Sequence, residues 1–220
     1  ETFSFFSANA KTRFNPSAIS AMSGAKSNNL KDFMEESGLI VNEELWNFYA
    51  QGDGKGYGLG AGSVNYGRDE DFKINEAPLS ILENSGVLAS VENTIPVYVL
   101  SRVAGEGRDM PRSMYNHTDI QEDKVKHYLE LDSIEKEIIS YLNDNYENFI
   151  LVLNVNSAIE LGWTDEFENL KSIVLAPNLD TLGEVLTGEV NPSGKLVDTF
   201  ANDALASPAA QNFGSYYYYD

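Results

Sequence analysis

The stretches Val97-Tyr98-Val99-Leu100 and Ile150-Leu151-Val152-Leu153 decide the fold, because they are apolar at every position. Such runs are typical of strands whose two faces are both covered, as in a parallel sheet. Five strands are predicted in all, at Phe3–Ala8, Leu39–Val41, Val97–Ser101, Phe149–Val155 and Ser172–Ala176. The sequence therefore predicts a mostly parallel sheet of about five or six strands, with the two longest runs at its centre.

Helical patterns lie between these runs, at Asn29–Glu36, Glu43–Tyr49, Ser133–Tyr146 and Thr181–Leu186. The clearest is Ser133–Tyr146, where Asp132 is placed as N-cap and Glu135 follows three residues later, as in a capping box. Strands that alternate with helices indicate an α/β fold. We therefore predict a single three-layer sandwich over residues 1–220, with helices on both faces of the sheet.

Composition limits the classes of partner. The chain has 220 residues and a formal net charge of −19, which repels phosphate backbones and anionic lipid. We expect no nucleic-acid partner and no membrane partner. It has no cysteine, and its two histidines lack the paired spacing of a metal site, so we expect neither a metal nor a cofactor. The start of the sequence does not resemble a signal peptide, and we expect a cytoplasmic, bacterial protein.

One charged segment directly follows a central strand. It runs Ser101-Arg-Val-Ala-Gly-Glu-Gly-Arg-Asp109, and glycines on both sides of Glu106 leave its carboxylate unshielded. Ligands of open α/β sheets bind at the carboxyl ends of strands. Nearby cations lower the pKa of a carboxylate and burial raises it, so the direction stays open here. A solvated turn with loose ion pairs is the alternative.

Four motifs in order carry a family resemblance. They are Ser101-Arg-x-x-Gly-Glu-Gly-x-Asp109, Tyr128-Leu-Glu-Leu-Asp132, Leu151-Val-Leu-Asn-Val-Asn156 and Gly188-Glu-Val-Asn-Pro-Ser-Gly-Lys-Leu196. Together they resemble the α/β-sandwich domain of family 3 glycoside hydrolases, the β-glucosidase-like group, from about residue 39 to residue 200. Three further segments, at 45–49, 51–68 and 74–78, are similar to the subset in which this domain precedes the catalytic barrel.

The resemblance implies a mechanism. Retaining glycosidases use two carboxyl groups, one as nucleophile and one as acid/base. In this family an Asp on a separate (β/α)8 barrel is the nucleophile, and 220 residues hold no such barrel. The sandwich domain supplies the acid/base, which corresponds to Glu106. Arg102, Arg108 and Asp109 fall at motif positions that orient Glu106 or bind the β-glycoside substrate on its aglycone side.

Two other functions remain open at this stage. One is a sandwich module that binds carbohydrate or protein without catalysis. The other is a flavodoxin-like nucleotide or signalling domain, which needs a phosphate loop or an acidic cluster at the strand ends, and the sequence shows neither.

Overall fold

The computed structural model describes residues 1–11, 29–58, 72–102, 110–155, 157–177, 179–206 and 208. Its centre is one parallel five-stranded sheet in the order β2-β1-β3-β4-β5. The strands are β1 (Thr2–Phe5), β2 (Ile40–Val41), β3 (Ile95–Ser101), β4 (Phe149–Asn154) and β5 (Leu170–Leu175). The predicted parallel sheet is confirmed, and the two longest apolar runs form the interior strands β3 and β4.

Strand β3 organises the sheet, because it pairs with β1 on one side and β4 on the other. Its pairing with β4 runs from Val97 opposite Ile150 to Ser101 opposite Asn154. The chain first adds β2 outside β1 and then returns to place β3 on the other side of β1. The strand order thus reverses between β1 and β3, which defines a topological switch point at their carboxyl ends.

Within the described ranges, five α-helices surround the sheet: α1 (Leu30–Glu36), α2 (Glu43–Ala50), α3 (Leu79–Ser85), α4 (Ser133–Asn145) and α5 (Leu182–Leu186). One core joins α3 and α4 to the sheet face that carries Tyr98 and Leu100. A second core joins α1 and α5 to the opposite face, which carries Val97 and Val99. Alternate residues of β3 therefore point into different cores, and the three-layer sandwich is confirmed.

One helix was missing from the sequence prediction. Helix α3 has seven residues, with Leu82 buried and Leu79 and Ile81 packed beside it, so it is too short for its apolar face to repeat as a stripe over several turns. It ends at Gly86, which adopts φ +75°, the left-handed conformation that favours glycine. The predicted first strand is also too long, because Ala8–Ala10 form a 3₁₀ turn capped by Ser7.

Neither a membrane-spanning helix nor a metal cluster occurs within the described ranges. Every helix there is too short or too polar to cross a bilayer. In the same ranges no three Asp, Glu or His side chains converge as the ligands of a metal ion would.

Candidate functional site

The candidate site is the carboxyl edge of the sheet at the β1–β3 switch point. Ser7 follows β1 there, and Arg102 follows β3. The segment 103–109 begins at the same place, but it lies outside the described residues. Glu106, Arg108 and Asp109 belong to that segment, and the roles predicted for them stay predictions.

Arg102 is fully buried at the base of this segment, with 1% of its surface exposed. A guanidinium has five N–H donors, and all five have acceptors inside the domain. Nε donates to the carbonyl of Tyr128 at 2.9 Å, and Nη1 donates to the carbonyl of Ser101 at 2.9 Å. Nη2 donates to the carbonyl of Glu130. The remaining two donors, one on each terminal nitrogen, go to Glu135.

Glu135 completes a bidentate ion pair with Arg102, with both N–O distances at 2.7 Å. Its carboxylate also accepts from the backbone N–H of Asp132 at 2.9 Å, while Asp132 accepts from the backbone N–H of Glu135 at 2.7 Å. The predicted capping box at the start of α4 is therefore confirmed. Burial alone lowers the pKa of Arg102, but Glu135 outweighs it and holds that pKa above its usual value.

These contacts bear on the substrate-binding role predicted for Arg102. Its donors are all used within the domain, and direct binding of substrate by Arg102 remains a prediction. The contacts agree better with the orienting role that the motif position also allows. Arg102 joins the end of β3 to the first turn of α4, so the chain leaves the sheet toward residue 103 from a fixed point.

The long polar loop after residue 109 is anchored to the same helix. Asp123 is completely buried and accepts from both the backbone N–H and the hydroxyl of Ser133, the latter at 2.6 Å. Lys126 forms an ion pair with Asp123 at 2.6 Å. Burial raises the pKa of Asp123, but the hydrogen bonds from Lys126 and Ser133 outweigh it and lower that pKa overall. The part of this loop that runs from residue 110 to α4 is thus attached to α4 near its middle.

Asp132, the N-cap of α4, lies between the Arg102–Glu135 pair and the Asp123–Ser133 contacts, and its side chain is also buried. Burial, and then the nearby Glu135 carboxylate, raise the pKa of Asp132 to about 8. The start of α4 therefore holds three buried carboxyl groups within thirteen residues, at 123, 132 and 135.

A fourth buried carboxyl group, Glu76, lies on the β1 side of the site and was not among the predicted site residues. Its Oε1 accepts from the backbone N–H groups of Ala8 and Ala77, both at 2.8 Å. Its Oε2 lies 2.7 Å from the hydroxyl of Ser7. Glu76 belongs to the segment 74–78 that carried the subset resemblance, but sequence spacing gives no hint of partners 68 residues away.

Lys11 fixes the chain just beyond β1. Its ammonium group donates to three backbone carbonyls, those of Tyr49, Gly54 and Lys55, at 2.8–3.0 Å. Burial lowers the pKa of Lys11. The three carbonyls lie at and after the end of α2, so Lys11 ties that end to the switch point.

The family follows from comparison with known proteins. Residues 16–219 match the model of the glycosyl hydrolase family 3 C-terminal domain. The chain therefore belongs to glycosyl hydrolase family 3, as this domain. It is 30% identical over 197 residues, 86% of its length, to a β-glucosidase of Ruminococcus albus, and 31% identical over 88 residues to β-glucosidase A of Butyrivibrio fibrisolvens.

The relatives are much longer than this chain. The chain spans 19% of the Ruminococcus albus protein and 11% of the Butyrivibrio fibrisolvens protein. Among solved structures, a β-glucosidase from Paenibacillus barengoltzii superposes with a TM-score of 0.65, covering 97% of this chain and 22% of its own. The identity there is 20%, so this likeness concerns the fold alone. The named relatives are bacterial, and the family membership identifies a glycosidase-related domain.

Proposed function

We propose that this chain is the acid/base-bearing domain of a retaining β-glycosidase that hydrolyses β-linked glucosides or related oligosaccharides. One observation supports the proposal most directly: the segment that contains Glu106 begins immediately after the carboxyl end of β3. That end lies beside the switch point where open α/β sheets bind ligands. Arg102, the residue just before this segment, is buried and uses all five of its donors within the domain. The β-glucosidase names of the relatives support the class of substrate.

In the proposed mechanism, Glu106 first protonates the glycosidic oxygen as the aglycone leaves. It then removes a proton from the water that hydrolyses the glycosyl-enzyme. The nucleophile is an Asp on a (β/α)8 barrel elsewhere in a longer protein, and the two carboxyl groups are about 5–5.5 Å apart in such enzymes. In our proposal the sandwich domain precedes the barrel. Arg108 and Asp109 orient Glu106 or bind the aglycone.

The proposal is tested by Glu106→Gln in the longer protein, which removes the proton donor and leaves the nucleophile. General acid catalysis contributes roughly 10²–10⁴-fold in rate. We expect a loss of that size for disaccharides, whose leaving groups are poor. The loss should be much smaller for activated aryl glucosides, whose phenolate leaves with little protonation. Steady-state kinetics with both substrates measures the difference.

Azide provides a second readout, because this small anion attacks the glycosyl-enzyme without a general base. We expect azide to restore turnover of the aryl glucoside by Glu106→Gln. Glu122→Gln is the matched control: Glu122 is an exposed carboxylate of the following loop, and its loss should change neither substrate preference nor azide response. A folded Glu106→Gln protein that slows both substrates equally and ignores azide would assign the acid/base role elsewhere. If Glu106→Gln raised KM equally for both substrates and left kcat unchanged, Glu106 would only bind substrate, as in a non-catalytic binding module.

A further inference from the structure

Glu76 is a buried carboxyl group that forms no ion pair within the described part of the chain. Only 3% of its surface is exposed, and among the described residues no cation lies within ion-pair distance of it. Lys11 is nearby, but its ammonium donates to three backbone carbonyls. Arg102 is paired with Glu135. An unpaired carboxylate in the interior is costly, and such groups commonly take up a proton instead.

The hydrogen bonds around Ser7 require one proton more than an ionised Glu76 supplies. The Ser7 hydroxyl oxygen lies 2.7 Å from Oε2 of Glu76 and 2.8 Å from the carbonyl oxygen of Val99. A carbonyl and a carboxylate only accept, and the hydroxyl has a single proton. If Glu76 were ionised, one of these two short contacts would join two acceptors without a proton between them.

A neutral Glu76 satisfies every group. Oε2–H donates to Ser7, Ser7 donates to the carbonyl of Val99, and the backbone N–H of Asn9 donates to Ser7 at 3.1 Å. Oε1 remains an acceptor for its two backbone N–H groups at 2.8 Å, so the proton belongs on Oε2. The backbone N–H of Ala8 is shared between the two oxygens, and its contact with Oε2, at 3.1 Å, is the longer and weaker one.

The two buried phenols that interact electrostatically with Glu76, Tyr49 and Tyr98, agree with this assignment. Burial is the main cause that raises the pKa values of Tyr49 and Tyr98, and an ionised Glu76 would raise them further. Both hydroxyls are buried without a hydrogen-bond partner in the described structure. An ionised carboxylate would attract such donors strongly, yet neither donates to Glu76.

We propose that Glu76 is held as a neutral carboxylic acid whose proton completes a hydrogen-bond chain from Glu76 through Ser7 to Val99, and that loss of this proton loosens the link between β1 and β3. The link lies at the switch point, two residues before the end of β3. This hydrogen-bond chain is therefore a proton-dependent link, here called the latch, at the sheet edge where the candidate site lies. The proposal does not depend on the glycosidase mechanism.

Among the charged and titratable groups that face Glu76, the Glu135 carboxylate favours its neutral form, whereas the Lys11 ammonium favours the ionised form. Burial is the main cause that raises its pKa to about 7, and the Glu135 carboxylate of α4 adds to it. The backbone N–H groups of Ala8 and Ala77 and the Ser7 hydroxyl oppose the rise. Tyr49 of α2 and Tyr98 of β3 are uncharged, and Lys11 is the cation on the β1 side.

Glu76→Gln tests the latch, because glutamine copies the neutral acid. Its amide nitrogen replaces Oε2 and donates to Ser7, and its oxygen accepts from Ala8 and Ala77. We expect the same urea midpoint as the wild-type chain at about pH 4 and below, and a higher midpoint than wild type at about pH 9. Glu83→Gln, at an exposed carboxylate of α3, should retain the wild-type pH profile. A Glu76→Gln midpoint below that of the wild type throughout this range would overturn the proposal.

A direct measurement covers the case in which Glu76→Gln does not fold. The carboxyl carbon of Glu76 in the wild-type chain is followed by NMR as pH rises, with residue-selective labelling for assignment. We expect the shift of a neutral acid at about pH 5 and a transition near neutrality. A carboxylate shift at about pH 5 would show that Glu76 is ionised and that no latch exists.

Discussion

Arg102 and Glu135 form a bidentate ion pair, 2.7 Å on each arm, that joins the residue after β3 to the first turn of α4. Neither side chain has more than 1% of its surface exposed. The pair is thus shielded from water and salt, unlike the exposed pair that Lys136 of the same helix forms with Glu166, which lies after β4. It fixes the point from which the Glu106 segment leaves the sheet.

Arg102→Met should strongly destabilise the chain, because it leaves Glu135 charged and buried without a partner. Breaking a buried pair in this way costs about 3–5 kcal/mol in the free energy of unfolding. Lys136→Met is the matched control, since it breaks an exposed pair and should cost about 0–1 kcal/mol. Urea denaturation of both variants measures the difference.

The double variant Arg102→Met, Glu135→Leu distinguishes the cost of an unpaired buried charge from the cost of the other contacts that Arg102 loses. Removing both charges eliminates the unpaired carboxylate, so we expect much of the lost stability to return. The carbonyls of Tyr128 and Glu130 still lose their donor, and recovery should therefore be incomplete. An Arg102→Met cost no larger than that of Lys136→Met would show that the pair contributes little.

Asp132→Asn should change the pH dependence of stability. The folded-state pKa of Asp132 is about 8, above the ordinary value of about 3.9, so its stabilising contribution is full below pH 4 and lost as pH rises through 8. Asparagine is an equally good N-cap and cannot ionise. We expect wild-type stability below about pH 4, a difference that opens as pH rises, and a gain on the order of 1 kcal/mol or more at about pH 9.

Denaturation midpoints across that range measure the effect. Asp123→Asn provides the contrast, because the pKa of Asp123 is lowered and its carboxylate is stabilising above its unfolded-state pKa. That variant should be less stable than wild type at neutral pH and approach it in acid. Equal loss of stability by Asp132→Asn at every pH would show that its ionised form caps α4.

The sheet could be predicted from the sequence because β3 and β4 are apolar at every position, a pattern with few alternatives. The capping box of Asp132 and Glu135 could also be predicted, because it is local. Helix α3 could not, since its seven residues are too few for an apolar period to repeat.

The hydrogen-bonding partners of Arg102 and Glu76 could not be predicted from the sequence, for a different reason. Arg102 meets Glu135 across 33 residues, and Glu76 meets Ala8 across 68. Only the folded sheet brings these segments together. The motif did single out Arg102, as a residue that orients Glu106 or binds substrate, but it could not show which groups inside the domain Arg102 contacts.

Gly162→Ala should loosen the segment that follows α5. A Cβ at position 162 would lie 2.2 Å from the carbonyl oxygen of Asn202, which is backbone and cannot rotate away. The adjacent Leu161 N–H donates to the carbonyl of Ala201 at 2.9 Å, so this contact anchors the segment. Overpacking of this kind costs about 1–3 kcal/mol.

Gly194→Ala is the matched control, because nothing lies within 4 Å of a Cβ built there. It should be neutral, or stabilising by about 0.4–1 kcal/mol through a less flexible unfolded chain. Thermal denaturation and limited proteolysis around residue 200 distinguish the two variants. If Gly162→Ala were as stable and as protease-resistant as Gly194→Ala, the anchor would have no energetic role.

The isolated 220-residue chain should have negligible activity on aryl β-glucosides. Retaining hydrolysis requires two carboxyl groups that act together, and the proposed mechanism assigns only Glu106 to this chain. We expect turnover below that of the longer protein by more than about 10⁴-fold, which exceeds what general acid–base catalysis alone contributes. The measurement is phenolate release by the purified, folded chain beside the longer protein. Turnover by the isolated chain that disappears when a carboxylate within it is replaced would refute the division of labour between the two domains. It would then place both catalytic carboxyl groups in the sandwich itself.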